Sequence, residues 1–179
     1  MICTERGIRL AGIVSDSIVD GPGLRITFFF QGCLRACEGC HNPGSWGLDG
    51  GEETDTETLL EKIDANPILQ GVTFSGGEPL LRAEALLSLA EGIRARGLPL
   101  AIYTGYTFEK ILASGDQAAL RLLDYADTLI DGPFLLAQKS LALPFRGSRN
   151  QRILDMAASL AAGTAVAQAD PEWGYHPEE

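Results

Sequence analysis

Apolar residues recur along this chain in two alternating rhythms. Leu24 to Phe30 is a nearly unbroken apolar run, with Ile26, Phe28, Phe29 and Phe30 close together. Such a run fits a strand covered on both faces, as in a parallel sheet. Val72 to Phe74, Leu98 to Tyr103 and Thr128 to Ile130 are shorter runs of the same kind. Between them the period lengthens to that of a helix. Leu59, Leu60 and Ile63 share one helical face, in a helix running to about Ala65. Leu86, Leu89, Ala90 and Ile93 form a second stripe that ends near Gly97, with Arg82, Glu84, Ser88, Glu91 and Arg94 elsewhere on the wheel. Further helical pieces run from Phe108 to Ala113 and, after the break at Gly115-Asp116, to about Tyr125. Thr54-Asp55-Thr56-Glu57 matches the capping box, and Thr107 is suited to cap the helix at Phe108. Gly7 to Val14 alternates loosely, as a short strand would. Residues 44–53 and 144–155 read as loop, and the alanine-rich stretch from Met156 as helix.

Strands alternating with helices specify βα units and a parallel sheet. There are too few units for a closed eight-stranded barrel, so the expected fold is α/β, a partial, open βα barrel with a mainly parallel sheet. At 179 residues the chain makes one domain able to bury a core. The expected division is a main unit over residues 1–155, with a lead-in over 1–23, and an extension over 156–179. From Asp170 that extension is acidic with two prolines and is expected to be loose.

Charge and cysteine usage narrow the function classes. Lysine plus arginine total 14 against 24 acids, a net charge of -10. That is a poor balance for gripping a nucleic acid backbone, which needs clustered cations. No run of about 20 apolar residues predicts a membrane span. Met1-Ile2-Cys3-Thr4-Glu5-Arg6 lacks the regions of a signal peptide. Three of the four cysteines are clustered, which is not a disulfide framework and fits the reducing cytoplasm.

The clustered cysteines are Cys33, Cys37 and Cys40, spaced by three and then two residues. Thiolate is the usual ligand of iron–sulfur clusters, and a four-iron cluster normally takes four. Three ligands leave one iron open to a substrate. With His41 the same residues can make a structural zinc site, although adjacent Cys40 and His41 suit one metal poorly and no second ligand block follows. A third reading is three buried thiols packing as small hydrophobes. Cys3 stands apart and is read as unmetallated.

Ser75-Gly76-Gly77-Glu78-Pro79 follows a predicted strand. Its glycines let backbone approach a ligand closely, and Glu78 can hold an ammonium group; the plainer reading is a permissive strand-to-helix turn. Asp20-Gly21-Pro22-Gly23 is a tight turn, read either as a connector or as a wall of the site. Trp46 is read as a surface-anchoring aromatic or as a shield for the centre. Arg146, Arg149 and Arg152 crowd a short polar stretch, either a solvated loop or a basic patch for a partner or an anion.

Together these motifs resemble the radical S-adenosylmethionine enzymes. Cys33-x3-Cys37-x2-Cys40 is similar to their cluster motif, and Gly76-Gly77-Glu78 to their methionine-binding motif. More narrowly, Asp20-Gly21-Pro22-Gly23, Cys40-His41-Asn42-Pro43, Tyr103-Thr104-Gly105-Tyr106-Thr107 and Arg146-Gly147-Ser148-x-Asn150-Gln151-Arg152 resemble the activating proteins of anaerobic ribonucleoside-triphosphate reductases. The likeness covers roughly residues 12 to 155. The wider superfamily often has an aromatic residue where this chain has Gly39. The resemblance implies a radical-SAM-type partial barrel and a [4Fe-4S] cluster on Cys33, Cys37 and Cys40. S-adenosylmethionine would chelate the open iron, held near Gly39, Cys40 and His41, by Gly76, Gly77 and Glu78, and by Thr104. It implies flavodoxin or ferredoxin as electron donor, and a 5′-deoxyadenosyl radical that takes hydrogen from a glycine of the partner reductase. No further catalytic residue is implied. Rival readings are an activase of another glycyl-radical enzyme such as pyruvate formate-lyase, a small-molecule radical enzyme such as a deazaguanine carboxy-synthase, a zinc-binding module, and a plain electron carrier.

Overall fold

The computed structural model describes residues 7–177; Cys3 lies outside the described residues. Among these residues seven strands form one sheet in the order β3-β1-β2-β4-β5-β6-β7. The four expected strands are its centre: β2 (Arg25–Phe30), β4 (Gly71–Gly76), β5 (Leu100–Tyr103) and β6 (Thr128–Asp131). They pair in parallel, β2 to β4, β4 to β5 and β5 to β6. On one edge lie β1 (Ile8–Ser17) and β3 (Glu52–Thr54), and on the other β7 (Arg152–Asp155). These edge pairings are antiparallel. The result is an open α/β sheet with five of its seven strands running in one direction.

The two faces of the sheet differ in chemistry because strand side chains alternate. Ile26, Phe28, Phe30, Val72, Phe74, Leu100 and Ile102 belong to the main core with Leu59, Ile63, Leu86, Leu89, Ala90 and Ile93. The last six come from α1 (Thr56–Asp64) and α2 (Ala83–Ala95). Phe30 meets Phe74 edge to face at 5.1 Å. The opposite face of β2 and β4 is polar yet buried, carrying Arg25, Thr27 and Thr73. Arg25 Nε donates to Thr73 Oγ1 at 2.8 Å, and Thr73 Oγ1 donates to the Asp20 carbonyl at 2.8 Å. Thr27 Oγ1 donates to the Asp20 carboxylate at 3.0 Å.

That network corrects one expectation. Asp20-Gly21-Pro22-Gly23 is fastened at the amino-terminal end of β2, whereas the cysteine loop leaves its carboxyl end, so the turn is not a wall of the cysteine site. Pro22 and Gly23 line a different cavity with Arg25 and Trp173.

Several boundaries also moved. Asp55, not Thr54, caps α1, accepting from the Thr58 amide at 2.8 Å, because Thr54 is the last residue of β3. Thr107 makes no side-chain cap for α3 (Phe108–Ser114). The free Phe108 amide donates instead to Asp131 Oδ2 at 2.8 Å, across from β6. The stretch 144–155 is not a solvated loop: Arg146 is buried, and Arg152 opens β7, where it pairs with Asp131 and Glu109. Glu52 and Glu53, read as loop, form an edge strand with Thr54.

The chain beyond β7 returns to the sheet. After α5 (Met156–Ala162), the Asp155 amide donates to Val166 O at 3.0 Å and the Gln168 amide to Ile153 O at 2.9 Å. The stretch expected to be loose is anchored as far as it is described. Asp170 caps a short 3-10 turn at 171–173, and Trp173, 5% exposed, packs with Ala101, Ile130 and Ile153. Phe145 meets Trp173 edge to face at 5.4 Å, and Arg146 lies over the Tyr175 ring at 4.6 Å. Acidic residues and prolines mask two aromatic anchors. Among the described residues no helix is long and apolar enough to cross a membrane.

Candidate functional site: the cavity at the carboxyl ends of β2, β4 and β5

Register builds this site. Phe30 of β2 pairs with Gly76 of β4, so the loops that follow them start side by side. One carries the cysteines, the other Gly77 and Glu78. The Gly77 amide donates to Phe30 O at 2.8 Å and the Glu78 amide to Gly32 O at 2.8 Å. A Cβ on Gly77 would stand 2.3 Å from Gly32 O, and one on Gly76, whose φ is +104°, 2.3 Å from Phe30 N. The glycines therefore serve a close approach of chain to chain. The expectation that they free backbone amides for a ligand is corrected for Gly77 and Glu78, whose amides are spent on the base of the cysteine loop.

The same base is held from the other side. Gly32 N donates to Ser45 O at 2.8 Å and Cys33 N to Trp46 O at 3.1 Å. The buried Arg82 donates through Nε to Gln31 O at 2.9 Å and through Nη2 to Leu48 O at 3.1 Å.

An open cavity of about 140 Å³ lies above this base. Cys33, Cys37, Cys40, His41, Gly76, Gly77, Glu78 and Thr104 all line it. Gly39 is set back: its φ is +73°, and a Cβ there would meet Leu136 Cδ1 at 2.7 Å. Trp46 is in the wall and partly buried, not merely on the surface.

The three sulfurs are partly buried and free of disulfides. Burial pushes the Cys33 thiol up, against the opposing pull of the Arg35 and Ala36 backbone N–H groups. The Asn42 amide donates to Cys40 Sγ at 3.4 Å. Ala36 holds φ at +45°, a left-handed conformation that costs a non-glycine residue free energy and clusters at functional sites. Among the described residues no three Cys, His, Asp or Glu side chains close on a point as the ligands of one ion do. A four-iron cluster asks for something else, one thiolate at each of several irons. Three thiols lining one cavity, with backbone N–H groups directed at Cys33 and Cys40, fit that requirement.

Opposite the cysteines, Glu78 is buried at 1% exposure. Its Oε1 accepts from Thr104 Oγ1 at 2.8 Å and the Leu80 amide at 3.2 Å, and its Oε2 from the Gly105 amide at 2.8 Å. Burial pushes its carboxyl up to about 7, against those hydrogen bonds and the nearby Arg35 charge. Thr104, expected to touch a cofactor, orients Glu78 and also lines the cavity.

Gly105, noted only as part of a motif, lines the cavity as well, and so do Arg35 and Phe134, which escaped the sequence reading as site residues. Arg35 lies between two cysteines, and that position was the one signal available. Gln151, noted only as part of a motif, folds the last wall: its Oε1 accepts from the Gly147 and Ser148 amides at 2.9 and 3.1 Å.

A cavity at the carboxyl ends of parallel strands, walled by a cysteine triad and a buried carboxylate, defines an α/β protein of the iron–sulfur cofactor class. The profile of the family described as "4Fe-4S single cluster domain" matches residues 19–154. The anaerobic ribonucleoside-triphosphate reductase-activating protein of Vibrio cholerae is 35% identical over 144 residues, 76% of this chain and 90% of that one. The protein of the same name from phage T4 is 35% identical over 143 residues, 75% of this chain and 86% of that one. The pyruvate formate-lyase-activating enzyme of Clostridium pasteurianum is 42% identical over 133 residues, 69% of this chain and 55% of that one. The crystal structure of QueE from Escherichia coli aligns with a TM-score of 0.46 at 19% identity, over 56% of this chain and 54% of that one. The chain belongs to the 4Fe-4S single cluster domain family and, within it, to the anaerobic ribonucleoside-triphosphate reductase-activating proteins.

Proposed function

We propose that the protein activates an anaerobic ribonucleoside-triphosphate reductase by installing a glycyl radical on it. The observation that carries this reading is the joining of two motifs at one cavity: Gly77 and Glu78 donate their amides to the base of the loop that holds Cys33, Cys37 and Cys40.

In this reading Cys33, Cys37 and Cys40 hold a [4Fe-4S] cluster and leave one iron without a protein ligand. Glu78 receives the ammonium group of S-adenosylmethionine, with Thr104 and the Gly105 amide fixing the carboxylate's direction. Backbone at Gly39 and His41 and the Gly76-Gly77 turn flank the cofactor. A bound cluster and S-adenosylmethionine would supply one-electron cleavage of the sulfonium and, through it, hydrogen abstraction from the partner's glycine. The chain's own part is to bind, orient and exclude water; Trp46 and Phe134 shield the cavity. The electron comes from a flavodoxin or ferredoxin. Residues 1–155 carry the motifs, and the extension from 156 braces them.

A second reading, activation of pyruvate formate-lyase, draws on the 42% identity to that enzyme's activator. Coverage favours the first, since the alignment takes in 90% of the reductase activator and 55% of the lyase activator. The test is anaerobic. The protein is reconstituted with iron and sulfide, then given dithionite and S-adenosylmethionine. Release of 5′-deoxyadenosine is expected, and a glycyl signal in electron paramagnetic resonance with the reductase present. A signal with the lyase alone would select the second reading; loaded protein that releases no 5′-deoxyadenosine even beside either partner would refute both.

A further inference from the structure

Arg35 stands in the cavity wall, with its charge near Glu78. Its Nε is shut off from solvent and has no hydrogen-bond partner, a costly condition for a charged donor. The guanidinium is stacked on the Tyr106 ring at 5.0 Å. Its stem lies against the α-carbon of Gly105, where a Cβ would fall 2.2 Å from Arg35 Cδ. A side chain at 105 would displace it.

The same glycine faces Glu78, whose Oε2 accepts the Gly105 amide at 2.8 Å. A guanidinium and a carboxylate are thus placed around one residue, on one cavity, and among the described ion pairs they are not joined to each other. Opposite charges held near but apart complement a zwitterion. The α-amino acid end of a ligand brings an ammonium for the acid and a carboxylate for the planar guanidinium fork.

We infer that Arg35 holds the carboxylate of the α-amino acid moiety bound in this cavity, as the counterpart of Glu78. This rests on the proposed S-adenosylmethionine site and adds a binding residue to it. Arg35 belongs to the cysteine loop, so the loop both carries the ligands of the cluster and grips the cofactor.

The experiment is a calorimetric binding cycle on the cluster-loaded protein, without reductant. Wild type, Arg35→Gln and Arg35→Lys are each titrated with S-adenosylmethionine and with its decarboxylated analogue. Iron and sulfide content must match across the variants. If Arg35 meets the carboxylate, wild type prefers the carboxylated ligand, and Arg35→Gln lowers that preference about tenfold or more. Arg35→Lys, which keeps the charge and loses the fork, falls between. An unchanged preference in Arg35→Gln overturns the inference, even where both affinities drop together, since that pattern marks lost packing or a contact with another group such as a partner's carbonyl. Wild type that binds neither ligand removes the cofactor site itself and the inference with it, a failure distinct from an unchanged ratio.

Discussion

Glu78 keeps a carboxyl where water cannot reach it, and that sets a pH dependence. Its displacement from an ordinary 4.5 to about 7 means that the folded, cofactor-free protein holds the proton longer than the unfolded chain does. The associated stability is full below pH 4.5 and is lost as pH rises through about 7, amounting to about 3 kcal/mol. Urea unfolding of cofactor-free protein at pH 5 and pH 8 reads this difference directly, and Glu78→Gln should flatten it. Affinity for the ammonium-bearing cofactor runs the other way, strengthening as pH rises through about 7, because only ionised Glu78 attracts the cation. At the cysteines, Cys37→Ala should abolish retention of iron and sulfide and all cleavage of S-adenosylmethionine. Iron analysis and chromatography for 5′-deoxyadenosine check it; cleavage surviving in that variant would sink the ligand assignment.

Between elements, the strongest constraint is the contact of the Gly76-Gly77 turn with the cysteine loop. Gly77→Ala drives a methyl into Gly32 O, 2.3 Å away, at a cost of about 1–3 kcal/mol, and should lower iron retention as the loop base shifts. Gly44→Ala has nothing within 4 Å to meet and is the matched control, expected to leave unfolding and iron content unchanged. The four parallel strands were legible because apolar runs such as Ile26 to Phe30 have no other stable placement. β3 was not, since Glu52-Glu53-Thr54 carries no apolar signal and pairs with β1 only by register. Cys33, Cys37, Cys40 and Glu78 could be read from local spacing. Arg35 against Gly105 could not, because that contact depends on two loops brought together by the sheet.

The whole molecule depends on its final described residues more than their composition suggests. Trp173 fills the inner face of the sheet against Ala101, Ile130 and Ile153 and supports Phe145, next to the segment whose Gly147 and Gln151 line the cavity. Trp173→Ala should therefore destabilise the protein by about 3 kcal/mol or more, seen as a lower urea midpoint. A peptide ending before Gly71 would carry all three cysteines and lack the partner that shapes their loop. During synthesis, about forty residues separate Cys40 from Glu78, which at ordinary elongation rates is about 2–8 s. For that interval the thiols are made but their frame is not, so iron and sulfide delivered to a growing chain would find three mobile sulfurs. A metal centre on these thiols would have its frame only once the fourth strand is complete, an order set by the direction of synthesis.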